Sequence, residues 1–291
     1  TVTGVRATKV VPGRGVLART TSGARLRVEA QLVVVACGTI GTPALLRRSG
    51  IRHPALGRNL SLHPATGVWA EVDEDVDMSA GVPQAYAVDE FAAEGIMLEG
   101  WTGPPDMLAL SLPSTGAEHR RLVCGWRRLA QAGLMIRDDA RGAVHVVGGK
   151  AVIRYDVERG DTARLVRAIG LAARLELAAG ARAVHLPIRG AAPITDARQI
   201  PALKANVKQL GLTAFHPLGT AAAGTVVDRD LQLTDGLLVA DGSVVPSALG
   251  VNPQLTIMAL ATRAAFRVLD RAAPDDEPES ASVGRAPVLA A

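Results

Sequence analysis

Aromatic side chains are scarce in this chain of 291 residues: Phe, Trp and Tyr together make up 3% of it. That scarcity disfavours a carbohydrate site, which often uses aromatic rings as stacking platforms. The two cysteines, Cys37 and Cys124, lie far apart and neither has a CxxC partner. A disulfide framework and a thiolate zinc site are therefore not indicated, and a reducing, cytoplasmic compartment is the default. No apolar run approaches the ~20 residues of a membrane helix, so no membrane span is expected. Basic residues occur as scattered pairs (Arg47-Arg48, Arg120-Arg121, Arg127-Arg128) under a net charge of +4. They form no basic face interleaved with aromatics, so nucleic acid is not an expected partner. His53, His63, His119, His145 and His185 show no metal-ligand spacing and read as structural, and Ser247 is not in a GxSxG elbow. A GxGxxG phosphate loop does not occur.

What is present is a globular composition, 48% hydrophobic and 21% charged, long enough for one large domain or two smaller ones. The start, TVTGVRATKV, reads like a strand already under way, and the expectation is that the chain begins inside a larger protein. ARLRVEA alternates as a half-buried strand does, and the β-branched run QLVVVACG suits a buried parallel strand. In GTIGTPALLRRSGI, Thr42 is expected to cap a helix with Pro43 at its first position and Gly50 past its end. GVWAEVDEDVD and AYAVDEF alternate. LMIRDDARGAVHVVGGKAVIRYDV reads as three strands of an antiparallel sheet, turning at Asp138–Gly142 and Gly148-Gly149. DTARLVRAIGLAARLELAAG is a helix, with Asp161 as its cap and Gly180 as its stop. Pro201 is expected to start another helix that stops at Gly211.

Three places suggest chemistry. In GLTAFHPLGTAAAG a single titratable group, His216, sits in an apolar, Gly-rich loop. In LLVADGSVV, Asp241-Gly242 follows an apolar strand; it is either a turn cap or the edge of a ligand site, because ligands of α/β folds collect at the carboxyl ends of strands. VVVACGTIG has the same geometry at Cys37-Gly38. In GVNPQLTIMALATRAA, Asn252 is expected as N-cap with Pro253 as the first helical residue. Leu255, Met258, Ala259 and Phe266 then form an apolar stripe interrupted by Thr262.

VVVACGTIGTPALLRRSGI, FHPLGT and VADGSVVPSALGVNPQLTIMALATRAA resemble, in order and spacing, blocks of the glucose–methanol–choline family of FAD-dependent oxidoreductases. The resemblance covers residues 1 to about 270 and departs from the family pattern at Arg52, where a Gly is usual. It implies a mixed α/β fold in which residues 1–62 are part of an FAD-binding domain. Residues 63–209 would form a substrate domain with an antiparallel sheet and helices, residues 210–272 the C-terminal part of the FAD-binding domain, and residues 273–291 a disordered tail. It also implies oxidation of the CH–OH group of an alcohol, with hydride passing to FAD. His216 would be the general base and Asn252 its partner. Asp241, Gly242, Asn252, Pro253, Thr256, Cys37 and Gly38 would lie against the cofactor. GVPQAYAVDEF and LPSTGAEHR are similar to segments of the branch acting on long-chain alcohols and, more distantly, on sterols, so the implied substrate is an apolar small-molecule alcohol. Because GxGxxG is absent, the expectation is a truncated enzyme whose partner is a missing N-terminal half. The alternative is a non-catalytic remnant or one half of a split flavoenzyme.

Overall fold

In the computed structural model of this chain, residues 1–80, 82, 84–101 and 103–269 are described; the expected disordered tail lies outside them. The chain opens with a meander of β1 (Val5–Val11), β2 (Gly15–Thr20) and β3 (Arg25–Glu29). Next come β4 (Val33–Val35), α1 (Gly38–Arg48) and β5 (Arg58–Leu60). β6 (Pro64–Glu71), β7 (Ala87–Val88) and β8 (Ile96–Gly100) follow, then the short helices α2 (Pro105–Ser111) and α3 (Gly116–Cys124). β9 (Leu129–Ile136), β10 (Gly142–Val147) and β11 (Lys150–Arg154) lead into the long helix α4 (Arg159–Ala178). The remaining elements are β12 (Ala183–His185), β13 (Thr213–Ala214), β14 (Gln232–Thr234), β15 (Leu237–Val239) and α5 (Gln254–Val268). The architecture is mixed α/β, as expected.

The largest sheet is antiparallel, in the order β12-β6-β9-β8-β7, with β13 also on β6. Helix α4 covers it. Leu165, Ala168, Ile169 and Ala172 follow the i, i+3, i+4, i+7 spacing of one helical face, and all four are completely buried. They pack with Val68, Leu134 and Ile136 of the sheet. Each fully buried Leu or Ile contributes about 1.5–3 kcal/mol relative to an exposed one. A second core lies where β4 and β15 pair in parallel, Val33 to Leu237 and Val35 to Val239. This pairing joins segments about 200 residues apart and brings the turns after the two strands side by side.

Several local expectations fail for identifiable reasons. β3 forms, but all five of its residues are exposed, since it is the outer strand of its meander. Helix α1 starts at Gly38 with Cys37 as N-cap, so Pro43 lies inside the helix and Thr42 does not cap it. A proline has no N–H for the carbonyl four residues earlier. That carbonyl, Thr39 O, instead accepts the Thr220 hydroxyl at 2.6 Å. The three strands expected between 129 and 154 do form, but in two sheets: β9 joins the large one, whereas β10 pairs with β11 on one side and with β5 on the other. Asp161 is not a cap either, because Glu158 holds that position. The buried Asp161 carboxylate accepts from Asp139 N and Ala140 N and so fixes the crossing between the two sheets. No long helix follows Pro201. Two 3₁₀ turns, Ala197–Ala202 and Val207–Gln209, stand there, each closed by a capping box.

Helix α5 departs from expectation most. Pro253, not Asn252, is its N-cap. The expected buried stripe faces outward: Leu255 is 79% and Met258 is 55% exposed, whereas Ala264 is buried and Leu260 packs against the second core. Both faces carry apolar residues, so periodicity alone cannot choose which face packs. Among the described residues no helix is long and apolar enough to cross a membrane.

Candidate active site

The two parallel strands end in turns held by one carboxylate. Asp241 Oδ2 accepts from Gly38 N at 2.9 Å and from the Thr42 hydroxyl, and Oδ1 accepts from Ser243 N at 2.8 Å. Asp241 is buried, with both oxygens engaged inside the chain. The turn-cap reading of this residue is thus the one observed, and it caps two turns at once. Cys37 is exposed, and burial of its sulfur together with the Asp241 charge raises its thiol pKa. Gly242 is tightly enclosed: a Cβ there would meet Pro217 O, Thr39 Oγ1 and Ile257 Cδ1 at 3.2–3.3 Å.

The His216 loop is pinned onto these turns. Pro217 O accepts the Thr39 hydroxyl at 2.5 Å, and Leu218 exchanges backbone hydrogen bonds with Ser61. Gly219 has φ +91°, and a Cβ there would lie 2.3 Å from Asn59 O, so only glycine fits. The His216 side chain is half-buried, and burial lowers its pKa, which favours the neutral ring. It lines a cavity of about 310 Å³ with Glu99, Trp101, Met135, Thr213 and Phe215.

Two residues that sequence reasoning missed tie this loop to the start of α5. The first is His63, read from the sequence as an unremarkable structural histidine. Its ring meets that of His216 edge to face, at 5.5 Å between centroids. Completely buried, it accepts a hydrogen bond from Gly250 N at 2.8 Å, two residues before Asn252. Burial pushes its pKa down to about 4. The second is Glu99 at the end of β8. Its carboxylate accepts from the amides of Asn252 at 3.4 Å and Gln84 at 3.3 Å, and burial raises its pKa. Neither has a sequence motif; a His-Pro pair opening a strand and a Glu-Gly closing one are common.

The expected residues therefore fall into two neighbouring groups. His216 stands on the cavity wall, with Asn252 reaching it through Glu99. Cys37, Gly38, Asp241 and Gly242 form the paired turns behind the loop. Pro253 and Thr256 belong to the first turn of α5. The Gln254 and Leu255 N–H groups make no hydrogen bond among the described residues, and no acidic side chain lies in that turn. The positive end of the helix dipole is thus uncompensated.

Two family models described as GMC oxidoreductase match the chain, one at residues 1–65 and the other at residues 138–261. An uncharacterized GMC-type oxidoreductase of Mycobacterium tuberculosis is 44% identical over 261 residues, 85% of this chain and 41% of the relative. A long-chain-alcohol oxidase of Arabidopsis thaliana is 26% identical over 275 residues, 84% of this chain and 38% of that protein. Among solved structures, pyridoxine 4-oxidase from Mesorbium loti superposes with a TM-score of 0.64 at 20% identity, over 92% of this chain and 57% of that one. Formate oxidase of Aspergillus oryzae RIB40 gives 0.63 at 16% identity, over 91% and 60%. The chain thus spans less than half the length of the two relatives matched by sequence.

Proposed function

Because this chain belongs to the GMC oxidoreductase family, we propose that it carries the catalytic side of a flavoenzyme that oxidises the CH–OH group of an apolar alcohol. The observation that carries this reading is His216. It is a half-buried imidazole with a pKa lowered by burial, on a cavity wall, in a loop fastened to the Cys37–Thr39 and Asp241–Gly242 turns. FAD, which the family implies, accepts the hydride when bound. The structure fits such a group at the first turn of α5, where the free Gln254 and Leu255 N–H groups favour an electron-rich edge. Next to that turn the apolar side chains of Val251, Leu255 and Met258 stand exposed. Pro253 and Thr256 of that turn and the exposed Cys37 would hold it.

His216 takes the hydroxyl proton of the alcohol, a role typically worth about 10²–10⁴ in rate. His63, neutral and packed against it, adds no charge that would oppose the protonated imidazole. Asn252 has two amide hydrogens. With one given to Glu99, the other is left for the substrate oxygen. Glu99 is thus a positioning residue for Asn252. The long-chain-alcohol oxidases among the relatives and the apolar walls around Trp101, Met135 and Phe215 support an apolar substrate.

The test is His216→Ala in the full-length, flavin-loaded protein. Stopped-flow reduction of the flavin by the alcohol should slow by about 10²-fold or more, while FAD affinity stays unchanged. Unaltered reduction would remove His216 from the mechanism.

A further inference from the structure

A second cavity, of about 550 Å³, adjoins the one that holds His216. Thr66, Trp101, Thr213 and Phe215 line both. The walls of the larger cavity are mainly apolar, contributed by residues such as Leu110, Leu112 and Pro187. Its volume falls within the roughly 300–1,000 Å³ of small-molecule sites, where a few polar groups set orientation and specificity. Several donors in these walls lack acceptors, Arg189 and Trp69 among them. Arg189 is exposed and has no carboxylate or carbonyl partner among the described residues. Trp69 is 98% buried, and its indole N–H has no acceptor. Two of the hydroxyl groups are satisfied internally, Thr66 donating to Gly211 O at 2.7 Å and Ser111 to Leu108 O at 2.9 Å, whereas that of Thr213 makes no hydrogen bond among the described residues.

The two cavities differ in charge. Glu99 lines the one with His216, and Arg189, which has no ion-pair partner among the described residues, lines the other. A ligand that spans both is oriented by this difference. A negative end is repelled from Glu99 and drawn to Arg189, whose planar fork matches a carboxylate. A simple alkanol gains nothing from either donor. We infer that the substrate is an amphiphile with a hydroxyl at one end, an apolar stem, and a carboxylate at the far end held by Arg189: an ω-hydroxy acid. This rests on the reading of His216 as the site of oxidation, which places the hydroxyl end. A single guanidinium favours a monoanion over a phosphate ester.

The test measures binding, not turnover. Octanoate, 1-octanol and octyl phosphate are titrated into the full-length protein, and quenching of the fluorescence of Trp69 and Trp101 is followed. Octanoate should bind more tightly than 1-octanol, and added salt should weaken octanoate alone. R189M should weaken octanoate roughly fivefold, the scale of an exposed ion pair, and leave 1-octanol unchanged. R189K should restore part of the loss. The inference falls if 1-octanol binds as well as octanoate, if R189M leaves octanoate unaffected, if octyl phosphate outbinds octanoate, or if no probe binds. His216→Ala should leave octanoate affinity unchanged. A failure of the His216 chemistry and a failure of the Arg189 site therefore give different results.

Discussion

Replacing His63 by Gln should flatten the acid side of the stability curve. The imidazole is completely buried and its pKa is pushed from 6.5 to about 4, chiefly by desolvation. The folded-state value lies below the unfolded one, so the unfolded chain binds this proton first. The stabilisation is therefore fully present above pH 6.5 and is lost as pH falls through about 4. At about 1.4 kcal/mol per pH unit the whole window is worth about 3 kcal/mol, and the part already lost at pH 5 is about 2 kcal/mol. Gln keeps an acceptor for Gly250 N but cannot titrate, which separates the proton from the hydrogen bond. The assay is urea unfolding of the full-length protein at pH 7.5 and at pH 5, followed by tryptophan fluorescence. Between these values the wild type should lose about 2 kcal/mol more than His63→Gln. Parallel losses would mean that the folded protein takes up this proton as readily as the unfolded chain, and the account of His63 as a neutral brace beside His216 would fail.

Other perturbations probe the frame behind the site. Gly219→Ala adds a Cβ 2.3 Å from Asn59 O at φ +91°; it should cost roughly 2–5 kcal/mol, visible as a lowered Tm. Gly224→Ala, at φ +77° with open space around it, is the control and should cost only about 1–2 kcal/mol of backbone strain. Equal effects of the two would refute the close-approach argument. Asp241→Asn removes an acceptor shared by Gly38 N and the Thr42 hydroxyl. It should cost about 1–3 kcal/mol in unfolding free energy and weaken FAD binding, as read by flavin fluorescence. Wild-type FAD affinity in this variant would detach the paired turns from the cofactor.

Much of the local structure was written in the sequence because it depends on short-range chemistry. The Val33–Val35 strand was legible as a buried β-branched run that ends in glycine. The α4 stripe was legible in part: of Leu165, Ile169, Ala172 and Leu175-Glu176, read from their helical spacing, the first three are completely buried but Leu175 is 45% exposed. His216 was legible as the one titratable group in a Gly-rich apolar loop. The local code failed where a partner distant in sequence decides the outcome. Pro43 reads as a helix start, yet it sits inside α1 because Thr220 satisfies the carbonyl it strands. Asp161 reads as a cap, yet its carboxylate holds the backbone of Asp139 and Ala140. Helix α5 has apolar residues all round, and only its packing against the second core settles that Leu260 and Ala264 turn inward while Leu255 and Met258 face out. His63 and Glu99 carry no motif at all. Their relation to His216 and Asn252 exists only once β6, β8 and the two C-terminal loops meet in space, since a hydrogen bond across 187 or 153 residues leaves no periodicity to read.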